Sequence, residues 1–175
     1  HISTGDVLRE EVATRSDLGK KIKGYQESGE LVPIDIVVEA LKKNLADNNI
    51  FDGFPRNLDQ AHALDELVKI DLVLYLEIPD EIAVDRLSQR RQCESCGFIT
   101  DSSHDKCPSC GGKIYQRSDD TPEAIKKRLV LFHEVTEPLL EYYKPRDIVH
   151  VVDGNKPVDV IFQNICSIID KNSVE

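Results

Sequence analysis

Apolar positions recur at helical spacing through most of the chain, and three short apolar runs interrupt that rhythm. Ser3-Thr4-Gly5-Asp6 is a helix-start signal, and Val7, Leu8, Glu11 and Val12 follow at helical spacing. Ser16-Asp17 starts a second helix, which Gly29 stops. Pro33 opens a third, with Val37, Leu41 and Leu45 on one face. Ile50-Phe51 predicts a short strand running into Asp52-Gly53-Phe54-Pro55-Arg56, and a helix carrying Ala61, Leu64, Leu67 and Val68 comes next. Asp71 to Ile78 predicts a buried strand, and Pro79-Asp80 caps a helix through Arg90. Thr121-Pro122-Glu123 opens a long helix reaching Tyr143: Thr is the cap, Pro suits the first turn, and Glu is favoured by the helix dipole. Ile148 to Val152 predicts another strand, and Pro157 to Asp170 a closing helix. Short apolar strands alternating with helices predict an α/β fold, a parallel sheet covered on both faces. The chain has no internal repeat and no low-complexity tract.

Composition narrows the class. A length of 175 residues fits one ordinary core, or one core with a small insertion. With 40% apolar and 31% charged residues, the balance is globular. There are 22 Lys+Arg against 32 Asp+Glu, a net charge of −10, the wrong sign for a general nucleic-acid or anionic-membrane binder. An anionic ligand would therefore need a local cluster of cations. No apolar run approaches the roughly 20 residues that span a bilayer, and no secretory signal is visible. A soluble cytoplasmic protein is the expectation.

Four of the five cysteines fall as Cys93-x2-Cys96, ten residues, then Cys107-x2-Cys110. Two such pairs a short loop apart have the ligand pattern of a structural zinc site. Thr100 to Asp105 between them is polar and turn-rich, with too little apolar surface to fold unaided, so a metal would supply the missing stability. Two disulfides, or free thiols, are the alternative, disfavoured where no secretion signal is present. Neither pair opens a helix after a strand, which argues against a redox motif. His104 is a possible ligand, but four thiolates already fill the shell. Cys166, in an apolar helical pattern, is expected in the core.

Ligands of such sheets bind at the carboxyl ends of strands. Asp52 and Arg56 follow the first predicted strand. Arg86 and Arg90, at i and i+4, are expected to share a helical face. Arg117 ends the cysteine segment, Arg128 lies in the next helix, and Arg9 lies in the first. Six arginines near loop mouths in an acidic chain suggest a polyphosphate clamp, since the planar guanidinium makes paired hydrogen bonds to phosphate. An ordinary solvated face with Arg–Asp pairs accounts equally well for their positions alone.

Ile2-Ser3-Thr4-Gly5-Asp6-Val7-Leu8-Arg9 and Asp52-Gly53-Phe54-Pro55-Arg56 closely resemble signature segments of the adenylate kinases. So do Asp85-Arg86-Leu87-x-x-Arg90-Arg91 and Asp119-Asp120 followed by Lys127-Arg128-Leu129. The four-cysteine insertion between Arg91 and Arg117 resembles the zinc-bearing lid of one branch of that family. The resemblance spans nearly the whole chain, in order. It implies a P-loop nucleoside monophosphate kinase-like fold: an AMP-binding arm over residues 3–32, a zinc lid over 89–120, and a core from 1–2, 33–88 and 121–175. It implies reversible transfer between ATP and AMP to give two ADP, with structural Zn2+ in the lid and Mg2+ accompanying ATP. It implies Thr4 and Gln60 at the adenine, and the backbone of Glu30, Leu31 and Val32 along the nucleoside. Arg9 and Arg56 would hold the AMP phosphate beside Gly53 and Phe54. Arg86 and Arg90 would meet ATP as the lid closes, and Arg117 and Arg128 would bridge the two nucleotides. Lys156 would touch the ATP base through its backbone, and Asp52 would organise the water around magnesium. The Phe54-Pro55 bond is expected to be cis, and a monomer is expected.

The family's opening strand and G-x-x-x-x-G-K phosphate loop have no counterpart in the chain. Gly19 with Gly24, and Gly24 with Gly29, have the glycine spacing, but Tyr25 and Glu30 stand where Lys is required. A molecule without that loop is expected to be inactive in transfer. Asn57 stands where Thr is frequent in the family. Two alternatives remain open: a nucleoside monophosphate kinase preferring another base, and a non-enzymatic zinc-ribbon interaction module. Gln60 and Thr4 argue against the first, and the arginine set argues against the second.

Overall fold

A computed structural model describes residues 1–28 and 32–172; Gly29, the expected stop of the second helix, lies outside the described residues. In chain order the elements are β1 Ile2–Ser3, α1 Thr4–Ala13, α2 Asp17–Ser28, α3 Ile34–Lys42, β2 Phe51–Asp52, α4 Leu58–Asp65, β3 Val73–Glu77 and α5 Asp80–Gln89. Then come β4 Arg90–Cys93, β5 Ile99–Asp101, β6 Ile114–Tyr115, α6 Pro122–Leu131, a π-helical turn Phe132–Thr136, α7 Leu139–Tyr143, a 3-10 turn Lys144–Arg146, β7 Val149–Asp153 and α8 Val158–Asn172. The chain divides into two compact units, His1–Asp71 with Leu131–Ile148, and Leu72–Val130 with Val149–Glu175.

In the first unit, β1 and β2 pair in parallel, Ile2 opposite Phe51 and Ser3 opposite Asp52. β1 was not anticipated, because two residues are too few to display a periodicity. Ser3 is extended and its Oγ accepts the Asp6 amide at 3.4 Å, so the expected cap is present. Arg15 turns the chain at a positive φ of 57°, and Ser16 Oγ then accepts the Gly19 amide at 2.9 Å to start α2. A Cβ on Gly19 would lie 2.4 Å from the Glu11 carbonyl oxygen, which shows how closely α2 approaches α1. Ile2, Leu8, Ile22, Val32, Val37, Ala40, Leu41, Phe54 and Leu64 form the buried core. α4 stops at Asp65, so Leu67 and Val68 lie in the following turn rather than on the helix. There the Arg146 guanidinium meets the Asp65 carboxylate through Nη1 at 2.9 Å and also through Nη2. The Tyr142 hydroxyl donates to the same carboxylate at 2.7 Å. Arg146 also lies over the Tyr142 ring, 4.8 Å from its centroid.

In the second unit, β3 and β7 pair in parallel over five residues, from Val73 opposite Val149 to Glu77 opposite Asp153. β4 is the centre of a small antiparallel sheet between β5 and β6. The α/β character with parallel ladders is as expected, while burial is lower than expected. β3 is half-buried rather than buried, pairing only with β7 among the described residues. Cys166 is half-buried on α8, none of whose residues is fully buried.

Two further expectations are corrected. The long helix from Thr121 to Tyr143 is broken. Pro138 has no N–H to offer the Glu134 carbonyl and its ring crowds that carbonyl, so the turn widens. The Glu137 amide donates instead to the Phe132 carbonyl at 2.8 Å, a π-type bond. Arg90 is not on the helix with Arg86. Its φ of −56° and ψ of 136° end α5, and it opens β4 opposite Asp101. Strand pairing therefore wins over helix continuation at this position.

These contacts set two expectations for stability. Gly19→Ala will destabilise by about 2 kcal/mol or more, because the added methyl meets backbone. Gly24→Ala, with open space around it in the same helix, will stabilise by about 0.5–1 kcal/mol. Denaturant midpoints of the two variants must move in opposite directions. Hydrogen bonds from Arg146 chiefly, with Tyr142 adding to them, hold the Asp65 carboxyl below its ordinary pKa despite partial burial. A depressed folded value gives stability that is present above the unfolded value, near 3.9, and is lost as pH falls below it. Thermal unfolding of Asp65→Asn will therefore show a deficit at neutral pH that shrinks as pH drops below about 4. A deficit independent of pH would contradict this role.

Candidate active site and metal centre

The parallel pairing of β1 with β2 sends two segments out from the same carboxyl edge: Thr4 and α1 after Ser3, and Gly53 to Arg56 after Asp52. Thr4 is 5% exposed, and its Oγ1 has no hydrogen-bond partner among the described residues. Arg9, one and a half turns along α1, lies over Gly5 and pairs with Asp6 at 2.5 Å. Asp52 ends β2 with its side chain exposed, 3.8 Å from His1. The Phe54-Pro55 bond is cis, as the resemblance implied. Phe54 is buried, while Arg56 folds back so that its Nε donates to the Gly53 carbonyl at 2.8 Å. A Cβ on Gly53 would stand 3.0 Å from Arg56 Nη2, so a bare backbone is needed for the guanidinium to rest there. Gln60, 4% exposed, accepts the Arg56 amide on Oε1 at 2.7 Å. Asn57 caps α4 by accepting the Gln60 amide at 2.8 Å, a role Asn fills as well as Thr. Val32 lies in the core at 8% exposure, and Glu30 and Leu31 lie outside the described residues.

In the second unit two of the arginines meet at an acid that the sequence offered as part of a signature segment but without a role. Asp120 is fully buried and takes Arg90 bidentately, Nε to Oδ2 at 2.8 Å and Nη2 to Oδ1 at 2.6 Å. Arg128 Nη1 reaches the same Oδ1 at 3.2 Å and the Asp119 carbonyl at 3.1 Å. The Asp120 amide donates to the Arg117 carbonyl at 3.1 Å, and Arg117 Nε donates to Gln92 Oε1 at 2.8 Å. Arg90 and Arg128 are thus held on one carboxylate, and Arg117 meets the same residue through the backbone. The acidic doublet Asp119-Asp120, between two arginines of the clamp, is the signal that could have found it. Arg86 is held elsewhere, its Nη1 donating to the Gly154 carbonyl at 3.0 Å. Lys156 follows in that turn and pairs with Asp153 at 3.3 Å.

The sulfurs of Cys93, Cys96, Cys107 and Cys110 all lie within 4.8 Å of one another. Cys93 and Cys110 are 3.5 Å apart and Cys96 and Cys107 3.7 Å, unbonded distances. Sulfurs about 3.8 Å apart are what a tetrahedron with metal–sulfur bonds near 2.3 Å requires. Each pair turns back on a glycine at φ 73°, Gly97 and Gly111, whose amides donate to the Cys93 and Cys107 carbonyls. The Cys96 and Ser95 amides hold the Cys93 thiol down at about 6. Cys110, although the Gly112 amide draws it down, is pushed up to about 12 by the neighbouring sulfurs. Four thiolates so close cannot all ionise without a cation, so the donor set fits a resident metal. His104 is not among these ligands; it contacts Thr100 and Asp101. No helix among the described residues is long and apolar enough to cross a membrane.

The family model described as adenylate kinase matches residues 1–148. An adenylate kinase of Archaeoglobus fulgidus is 41% identical over 97% of this chain and 86% of its own length. One of Thermodesulfovibrio yellowstonii is 42% identical with the same coverage, and one of Clostridium tetani is 37% identical, again over 97% of this chain and 86% of its own. With the α/β ladders, the ordered arginines and a four-cysteine cluster ready to hold a metal, these likenesses lead to one conclusion: the chain belongs to the adenylate kinase family.

Proposed function

We propose that this chain binds AMP at the carboxyl edge of the β1–β2 ladder and, together with a G-x-x-x-x-G-K phosphate loop that its 175 residues do not contain, serves reversible phosphoryl transfer from magnesium-ATP to AMP, giving two ADP. The observation that carries this is the pairing, on that edge, of a buried Thr4 hydroxyl without a partner and an Arg56 side chain cradled on Gly53. An unsatisfied buried hydroxyl is costly unless a ligand completes it, and adenine offers the hydrogen-bonding edge. Residues 3–32 form the AMP arm, with Thr4 and Gln60 at the base. Residues 89–120 form the lid, and 1–2, 33–88 and 121–175 the core. Arg9 and Arg56, beside Gly53 and Phe54, grip the AMP phosphate; their present partners, Asp6 and a carbonyl, are exposed and readily exchanged for phosphate oxygens.

In the transfer an AMP phosphate oxygen attacks the γ-phosphorus in line while the bond from that phosphorus to the ADP oxygen breaks. The developing charge sits on the equatorial oxygens, and positive charge placed there lowers the barrier. Arg86, Arg117 and Arg128 supply it together with Arg56, and Arg86 and Arg90 draw in the ATP phosphates as the lid closes. Lys156 meets the ATP base through its backbone, and Asp52 orients water on the magnesium that accompanies ATP. The lid metal is Zn2+, which stiffens a sheet too small to hold itself. Its four thiolates leave no coordination position for catalysis. ATP, AMP and ADP are the partners of a cytoplasmic monomer, in keeping with five cysteines that form no disulfide and a net charge of −10.

Arg56→Lys keeps the charge and loses the two-pronged contact. AMP affinity by calorimetric titration will fall about tenfold or more, with little change in the unfolding midpoint. Unchanged AMP affinity would remove Arg56 from the phosphate site. Elemental analysis of protein prepared without chelator will find stoichiometric zinc. Cys107→Ser will lose most of it and lower the unfolding temperature while the core still unfolds cooperatively. Absence of zinc from the unmutated protein would end the assignment.

A further inference from the structure

We propose that Thr136 is a positioning residue for the AMP phosphate, acting through the backbone of Arg56. The proposal rests on the assignment of Arg56 to that phosphate. The Thr136 hydroxyl donates to the Arg56 carbonyl at 2.9 Å, a bond between residues eighty positions apart in the chain. From the other side, Gln60 Oε1 accepts the Arg56 amide at 2.7 Å. Both peptide groups flanking the Arg56 Cα are thus fixed by side chains, one from α4 and one from the π-helical turn. The Arg56 side chain itself is exposed, with Nε on the Gly53 carbonyl, and the backbone from which it springs limits where its guanidinium can reach. Guanidinium–phosphate pairing is directional, and a small rotation of that backbone would cost one of its two prongs.

The π-helical turn gives Thr136 this role. Thr136 is its last residue, and the bond from the Glu137 amide to the Phe132 carbonyl closes it. Single π turns inserted in α-helices change where a side chain points and recur at functional sites. Here Pro138 enforces the widened turn, and the hydroxyl reaches the Arg56 carbonyl from it.

The test compares AMP with adenosine as ligands of the whole chain. Thr136→Val keeps the shape and removes the donor; Thr136→Ser keeps the donor. Thr136→Val will raise the AMP dissociation constant about three- to tenfold, the effect of losing one positioning hydrogen bond. It will leave adenosine affinity by NMR titration unchanged, because adenosine has no phosphate to misalign. Thr136→Ser will restore AMP affinity. Arg56→Lys is run in parallel. If that variant weakens AMP and Thr136→Val does not, the positioning role is overturned while Arg56 keeps its own. If Arg56→Lys leaves AMP affinity intact, both fall. An equal loss of AMP and adenosine in Thr136→Val, with a lowered unfolding temperature and no rescue by Ser, would make Thr136 merely structural and overturn the proposal.

Discussion

A guanidinium group away from its ligand needs acceptors to hold it, and in this fold local oxygen atoms supply them. Each arginine of the clamp has a resting partner: Asp6 for Arg9, the Gly53 carbonyl for Arg56, the Gly154 carbonyl for Arg86, Gln92 for Arg117, and Asp120 for Arg90 and Arg128. These partners are not equivalent. A carbonyl or an exposed carboxylate is surrendered to phosphate at small cost. Asp120 is fully buried and bidentate, and removing one side of such a pair leaves a charge stranded out of water. The Asp120 pair is therefore a fixed knot, and it sets where the chain enters and leaves the cysteine segment.

That knot and the cysteine cluster divide one task. The β4–β5–β6 sheet buries little beyond Cys93 and Cys107, and it leaves Phe98, Ile99 and Tyr115 exposed. So small a sheet lacks the apolar burial to persist alone, and cross-linking by an ion on the four cysteines would replace it. Arg90–Asp120 anchors the base of the sheet and the sulfurs hold its far end.

Much of this was legible in the sequence because it rests on short-range chemistry. Ser3, Pro33 and Thr121 announce helix starts through side chains or rings that act within a turn, and paired cysteines announce a metal by spacing alone. The segment Asp52 to Arg56 could be read for the same reason, since its turn is built from its own residues. What could not be read depends on partners distant in the chain. Arg90 looks helical beside Arg86 until Asp101 and Asp120 claim it from another direction. The break after Leu131 was signalled by Pro138, but the apolar spacing on either side of that proline masked it. Thr136 carries no local mark of its bond to Arg56, because a hydroxyl in a helix acquires meaning only from what stands opposite it, while the acidic doublet that holds Asp120 is visible in the sequence but does not name its partners.

The two cysteine turns are built alike, and each sets its first cysteine inside and its second outside: Cys93 and Cys107 are buried, Cys96 and Cys110 exposed. An electrophile approaching the metal-free protein from solvent meets one sulfur of each turn first, yet ionisation does not follow exposure: the buried Cys93 is the thiol held down at about 6, and the exposed Cys110 the one pushed up to about 12. Thiolate is the reactive form, so at this pair the sulfur that is easiest to reach is the one least ready to react.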